Sequence, residues 1–140
     1  MRPLSLLLPA SLLVLAASAS AQNLPYPQAD SVPASTVQVT APIKPVLLFA
    51  DEAERVAGSY AMSNGWRMQV RTGTRHIDAK IDNQKPIRLL AVSPDKFVSR
   101  DGNVTMEFNQ GSYGDDMTMS YVPDPRLAQV VVLSSRMAQR

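Results

Sequence analysis

From residue 58 onward, apolar and polar side chains alternate through most of the segments between turn-forming residues. Trp66, Met68 and Val70 fall on one face of an extended chain, with Arg67, Gln69 and Arg71 on the other. Ile77, Ala79 and Ile81 oppose His76, Asp78 and Lys80; Val104, Met106 and Phe108 oppose Thr105 and Glu107; Met117, Met119 and Tyr121 oppose Thr118 and Ser120. Successive side chains of a strand point to opposite faces, so this pattern describes strands dry on one side and wet on the other. Between them stand Asn64-Gly65, Gly73-Thr74, Asp82-Asn83-Gln84, Ser93-Pro94-Asp95, Asp101-Gly102-Asn103, Gln110 to Asp116 and Pro123-Asp124-Pro125. Their spacing of roughly 8–12 residues is the rhythm of consecutive antiparallel strands. Asn-Gly and Asp-Gly favour type I′ hairpin turns, in which both central residues need positive φ.

The pattern predicts about eight strands, at 59–62, 66–71, 76–81, 87–92, 96–99, 104–108, 117–122 and 129–133. Ile87 to Val92 is nearly continuous apolar and predicts a strand covered on both sides. An open meander leaves two strand edges with unpaired backbone groups, and closure removes them. With no cysteine in the chain to staple it, a closed or well-covered sheet is favoured. The expected fold is therefore all-β, an antiparallel meander closing into a small up-and-down barrel, with a two-layer β-sandwich as the alternative. One short helix precedes it: Asp51 serves as N-cap, acids fill the first turn, and Gly58 ends it.

The N-terminal third is different in kind. Met1-Arg2, the uncharged Leu-rich run to Ala17 and the small residues Ala19-Ser20-Ala21 have the order of a cleavable export signal, with cleavage after Ala21. Residues 22–45 carry Pro25, Pro27, Pro33, Pro42 and Pro45 and read as a flexible, largely unpacked tail. The barrel domain with its helix is assigned to 46–140. No later segment is long and apolar enough for a membrane span after signal removal. The expected location is periplasmic or secreted, as a monomer.

Gly58-Ser-Tyr-Ala-Met-Ser-Asn-Gly65, Met68-Gln-Val70, Asp95-Lys-Phe-Val-Ser-Arg-Asp-Gly102 and Val104-Thr-Met-Glu-Phe108 together resemble the lipocalin-like β-barrel accessory domains of penicillin-binding-protein-like serine hydrolases. They also resemble a group of small exported proteobacterial proteins of unknown function. The resemblance spans about residues 56–122 and implies an eight-stranded barrel with a non-catalytic role; it carries over no catalytic residue. Ser35 to Ala41 resembles the short segment by which outer-membrane receptors pair with a periplasmic sheet edge.

Candidate sites follow from residue chemistry. Residues 67–100 hold eight basic side chains against three acids, and 101–126 hold five acids against Arg126. Arg67, Arg71 and Lys80 are the candidate surface patch. Met68, Met106, Met117 and Met119 line the inner face, where flexible thioethers suit an apolar ligand. Tyr113, Asp115 and Asp116 mark a long loop able to enter an enzyme cleft. The lone histidine, His76, falls on the polar face with no serine in an elbow motif, so no catalytic set, metal site or cofactor is assigned. Few aromatics accompany the basic residues, which argues against nucleic acid. The expectation is an exported, non-catalytic binding module of the bacterial envelope, its partner an envelope protein or a small apolar ligand. The alternatives are an inhibitor of an exogenous hydrolase and an apolar-ligand carrier.

Overall fold

Eight antiparallel strands follow one another in chain order, and the last pairs with the first. The computed structural model describes residues 24–28, 42–124, 126–127 and 129–139. The signal segment with its cleavage point after Ala21, and the Ser35–Ala41 segment, lie outside the described residues. Helix α1 (Ala50–Val56) leads into β1 (Gly58–Met62), β2 (Arg67–Thr72), β3 (His76–Ile81) and β4 (Ile87–Ala91). β5 (Lys96–Ser99), β6 (Val104–Gln110), β7 (Asp116–Tyr121) and β8 (Val131–Gln139) complete the closed barrel. The barrel is as the alternation predicts, and a short helix precedes it as the capping residues predict. No helix among the described residues is long and apolar enough to cross a membrane.

The inward positions form one apolar core. Met68, Ile77, Ala79, Leu89, Phe97, Val104, Met106, Met117 and Met119 have no exposed surface, and Met106 sits opposite Met119 in the β6–β7 register. Each fully buried side chain of this size contributes about 1.5–3 kcal/mol of transfer free energy. Most outward positions are polar, with Leu90, Val98 and Val132 as apolar exceptions on the outer face. β4 corrects the expectation of two-sided cover: Ile87, Leu89 and Ala91 point inward, while Arg88 is exposed and Leu90 half-buried on the outer face. A single-layer barrel has no second layer to cover that side.

Both ends of the barrel are closed by chain that precedes it. At one end, α1 is tied to β1 by the Tyr60 hydroxyl, which donates to the Val56 carbonyl at 2.8 Å. Tyr60 meets Phe108 edge-on at 5.4 Å, and Phe108 meets Phe97 at 5.5 Å. The residues before α1 strap across this end: the Val46 N–H donates to Ala91 O at 2.8 Å and the Leu48 N–H to Thr74 O at 2.9 Å. The helix begins two residues earlier than Asp51 as N-cap would set it. Phe49 is the N-cap, and its N–H donates to the Glu52 carboxylate at 2.9 Å.

At the other end, residues 24–28 depart from the expectation of an unpacked tail. Tyr26 stacks on Trp66 with ring centroids 4.5 Å apart and donates to Asp82 Oδ2 at 3.1 Å. Tyr121 donates to Pro25 O at 2.7 Å, and Asn103 Nδ2 to Gln28 O at 2.7 Å. Proline restricts the segment to extended geometry, which here presents its carbonyls to the barrel mouth.

Two further readings are corrected. Neither Asn64 nor Asp101 takes the positive φ of a type I′ turn; Gly65 (φ 90°) and Gly102 (φ 74°) do. The side chains decide this, because Asn64 Oδ1 accepts from Trp66 N–H and Asp101 Oδ1 from Asn103 N–H, each two residues on. The closing strand runs 131–139, not 129–133. Its inward set is Val131, Leu133, Ser135 and Met137, and the serine breaks the apolar pattern.

Ser99 and Ser135 are both buried, yet their environments differ. Ser99 Oγ donates to Asp101 and accepts from the Val104 N–H at 2.9 Å. Ser135 Oγ has no hydrogen-bond partner among the described residues. An unsatisfied buried hydroxyl costs stability, whereas removing a partner orphans a buried N–H at about 1–3 kcal/mol. Ser99→Ala is expected to lower unfolding free energy by about 1–3 kcal/mol and Ser135→Ala to leave it unchanged or raise it by about 1 kcal/mol, measured by urea denaturation.

Candidate functional site

The outer face of β2, β3 and β4 is a shallow wall, and residues 26–28 rise beside it. Between them lies an open groove of about 1090 Å³. The strand registers explain which side chains meet there. Arg71 on β2 lies opposite Asp78 on β3, which lies opposite Arg88 on β4; Gln69 on β2 lies opposite Lys80 on β3. Lys85 and Gln84 enter from the β3–β4 turn and Arg100 from the β5–β6 turn. The groove therefore gathers five cationic side chains against one carboxylate. Pro86 and Leu90 expose its apolar surface, backed by Tyr26 and by the buried Pro27 and Ile87.

That carboxylate is already engaged. Arg88 donates to Asp78 through Nε at 2.9 Å and Nη2 at 3.1 Å. The guanidinium hydrogen bonds hold the Asp78 carboxyl below its usual range, and raise the Arg88 pKa in turn. His76 lies 3.7 Å from the same carboxylate. Its ring sits over Gly73, where an added Cβ would lie within 3 Å of three ring atoms. Thus His76 is packed between a turn glycine and an ion pair on the groove's edge. By contrast, Arg71, Lys80, Lys85 and Arg100 have no carboxylate within ion-pair distance among the described residues. Elsewhere Lys96 is matched to Glu107 at 2.8 Å and Arg136 to Asp116 at 3.2 Å, while Lys44, Arg67, Arg75 and Arg126 are likewise without an ion pair among the described residues but lie apart from the groove.

Of the predicted surface patch, Arg71 and Lys80 come together in the groove. Arg67 shares their outer face but lies outside the lining, beside the β3–β4 turn, where its N–H donates to Asp82 Oδ1 at 3.0 Å. Lys85, Arg88 and Arg100 belong to the basic half of the sequence, but only the sheet order brings them to one place. Residues 26–28 were missed as groove residues because their composition reads as linker.

The other candidates are also placed. Met68, Met106, Met117 and Met119 share the barrel interior, each fully buried. Asp115 and Asp116 do not stand free on the loop tip: both face Arg136 on β8, at 3.8 and 3.2 Å. Tyr113 does stand free, 93% exposed. Its loop is held by the Met137 N–H donating to Asp115 O at 2.9 Å and by positive φ at Asn109, Gly111 and Gly114.

Tyr26 and Tyr121, which anchor the segment beside the groove, both have hydroxyls raised above the ordinary 10.0. For Tyr26 the main cause is its hydrogen bond to Asp82; for Tyr121 it is burial. Comparison with family models, with curated proteins and with solved structures gave no match, so the site is read from its own geometry.

Asp78 provides a direct check on that geometry. Its folded-state pKa is depressed, so its stabilising effect is present above the unfolded carboxylate range and is lost as pH falls through the folded value. Asp78→Asn is expected to lower stability slightly at pH 7 and to remove part of the loss seen on acidification below about pH 4. The same change frees Arg88 and adds one unit of positive charge to the groove. Thermal unfolding across pH 2–7 measures the first effect.

Proposed function

We propose that this chain is an exported, non-catalytic binding module of the bacterial envelope, and that the basic groove on β2–β4 takes an anionic partner. The supporting observation is the concentration of Arg71, Lys80, Lys85 and Arg100 around one concavity without carboxylate partners among the described residues. Unpaired like charges repel one another, and a groove with a low-dielectric wall focuses their field outward. An anion that enters relieves that repulsion. The sequence supports the envelope setting through its signal-like N-terminus.

The test is sedimentation of the purified protein with isolated bacterial envelopes at low and physiological salt. Arg71→Glu with Lys80→Glu is expected to reduce binding at least tenfold. A control with the same charge change outside the groove, Lys44→Glu with Arg126→Glu, is expected to bind as wild type. Equal loss in both variants would reduce the effect to net charge; no loss in the groove variant would remove the reading.

A second reading has its own support. Tyr113 is a nearly fully exposed aromatic on a loop braced by the Arg136 ion pairs, the form of an anchor for a partner's pocket. As an inhibitor of a foreign lysozyme or protease, the protein would lose at least tenfold in potency on Tyr113→Ala, with its thermal stability unchanged. Absence of inhibition by the wild type at micromolar concentration ends this reading. An apolar-ligand carrier would have to open one of the two closed ends to reach the methionine interior, which makes it the least supported of the three.

A further inference from the structure

The anionic-groove reading leaves the class of anion open, and the groove's uncharged half narrows it. Gln69 and Gln84 stand among the cations, and neither side-chain amide has a hydrogen bond among the described residues. Each presents a carbonyl acceptor and an NH₂ donor. An ion-binding surface needs no acceptors, since an acceptor oxygen beside an anion is unfavourable. Hydroxyl groups, which both donate and accept, use both ends of an amide. The exposed Pro86 and the half-buried outer-face Leu90 add apolar facets between the polar groups, suited to the C–H faces of a ring rather than to a flexible acidic chain. Sites that fix small polar ligands combine these elements: apolar walls with a few directed polar groups.

Competing polyanions fit less well. An acidic peptide can gain affinity by adding a strand to a sheet edge, and the closed barrel offers no edge for it. Nucleic acid wants free aromatic faces for base stacking; the groove's one aromatic ring, Tyr26, has a face against Trp66. An anionic membrane would be met by a convex surface with apolar residues to insert. The exposed apolar side chains Phe49, Leu127 and Val132 lie off the groove.

Resting on the anionic-groove reading, we infer that the ligand is an acidic glycan, a chain of hydroxylated rings bearing carboxylate or phosphate groups. Arg71, Lys80, Lys85 and Arg100 meet the charges, Gln69 and Gln84 meet the hydroxyls, and Pro86 with Leu90 carries the rings. Guanidinium groups suit both kinds of acid through paired N–H donors.

The experiment is calorimetric titration of the full protein with four probes: a hexagalacturonate, a phosphomannan oligosaccharide, hexaglutamate and neutral maltohexaose. At least one of the two acidic glycans is expected to bind tenfold or more tightly than hexaglutamate, with no binding to maltohexaose. Which glycan binds tells carboxylate from phosphate sources. The double variant Gln69→Leu with Gln84→Leu, checked for folding by circular dichroism, is expected to lose that preference while keeping its affinity for hexaglutamate. If hexaglutamate binds as tightly as both glycans, or the double variant is indistinguishable from wild type, the glycan assignment is wrong and the anionic groove stands. If no acidic probe binds, both are wrong.

Discussion

The pairing of β8 with β1 is the contact on which the rest of the structure depends. It joins Tyr60 to Met137, Ala61 to Arg136 and Met62 to Ser135 across the seam. Without it the meander has two exposed edges and a core open along its length. With it, every inward side chain is enclosed, and the only openings are at the two ends. These are covered by the chain that comes before the barrel, by α1 with its strap at one end and by residues 24–28 at the other. The core is then held by packing alone, without a disulfide. The shift between Ser59 and Tyr60 in the seam, and that between Glu107 and Gln110 in the β6–β7 pair, are the local irregularities that help a sheet bend into closure. In the second, Asn109 takes φ 53° and its amide donates to Asp95, so the bulge is fixed by a side chain from the neighbouring turn.

Closure also decides where function can reside. It uses up the strand edges, so recognition falls to side chains on the outer wall, to loops, or to the ends. The outer wall is not uniform. On β5, β6 and β7 charges are matched or the face is neutral, as with Lys96 and Glu107 or with Thr118 and Ser120. On β2, β3 and β4 the cations outnumber the acids, and the one carboxylate there is held by Arg88. The docked residues 26–28 turn that flat wall into a groove. The Tyr26–Trp66 stack and the Tyr121–Pro25 hydrogen bond thus serve two ends at once, closing the barrel mouth and shaping the site.

Much of the fold was legible in the sequence because strand periodicity is short and local. Met68 and Val70, or Met117 and Met119, reveal their burial within a few residues. The misreadings share one cause: local composition pointed one way and tertiary partners another. Ser135 lies beyond the predicted closing strand at 129–133 but points into the core, where β1 and β7 flank it. Asn64 and Asp101 promise a type I′ turn, yet their own side chains bond the backbone two residues ahead and pass the positive φ to glycine. Pro25 and Pro27 look like linker, although an aromatic pair and two carbonyl acceptors pin them down. For the candidate site, the sequence showed the excess of basic residues and named Arg71 and Lys80. It could not show that Arg88 would be neutralised by Asp78, that Arg100 would arrive from another hairpin, or that Arg67 would sit aside. Those facts depend on register and on which turns share a barrel end. The same holds for Asp115 and Asp116, which read as a free loop pair but are met by Arg136 from β8.

The central claim is that the working surface is the groove on β2–β4 and not the interior or the β6–β7 loop. Amide chemical-shift mapping of the isotope-labelled protein during titration with an acidic oligosaccharide tests it residue by residue. The account expects the largest shifts at 26–28, 69–71, 78–80 and 84–88, with the barrel interior and residues 110–114 unmoved. Shifts centred on Tyr113, or spread through Met68, Met106, Met117 and Met119, would contradict it.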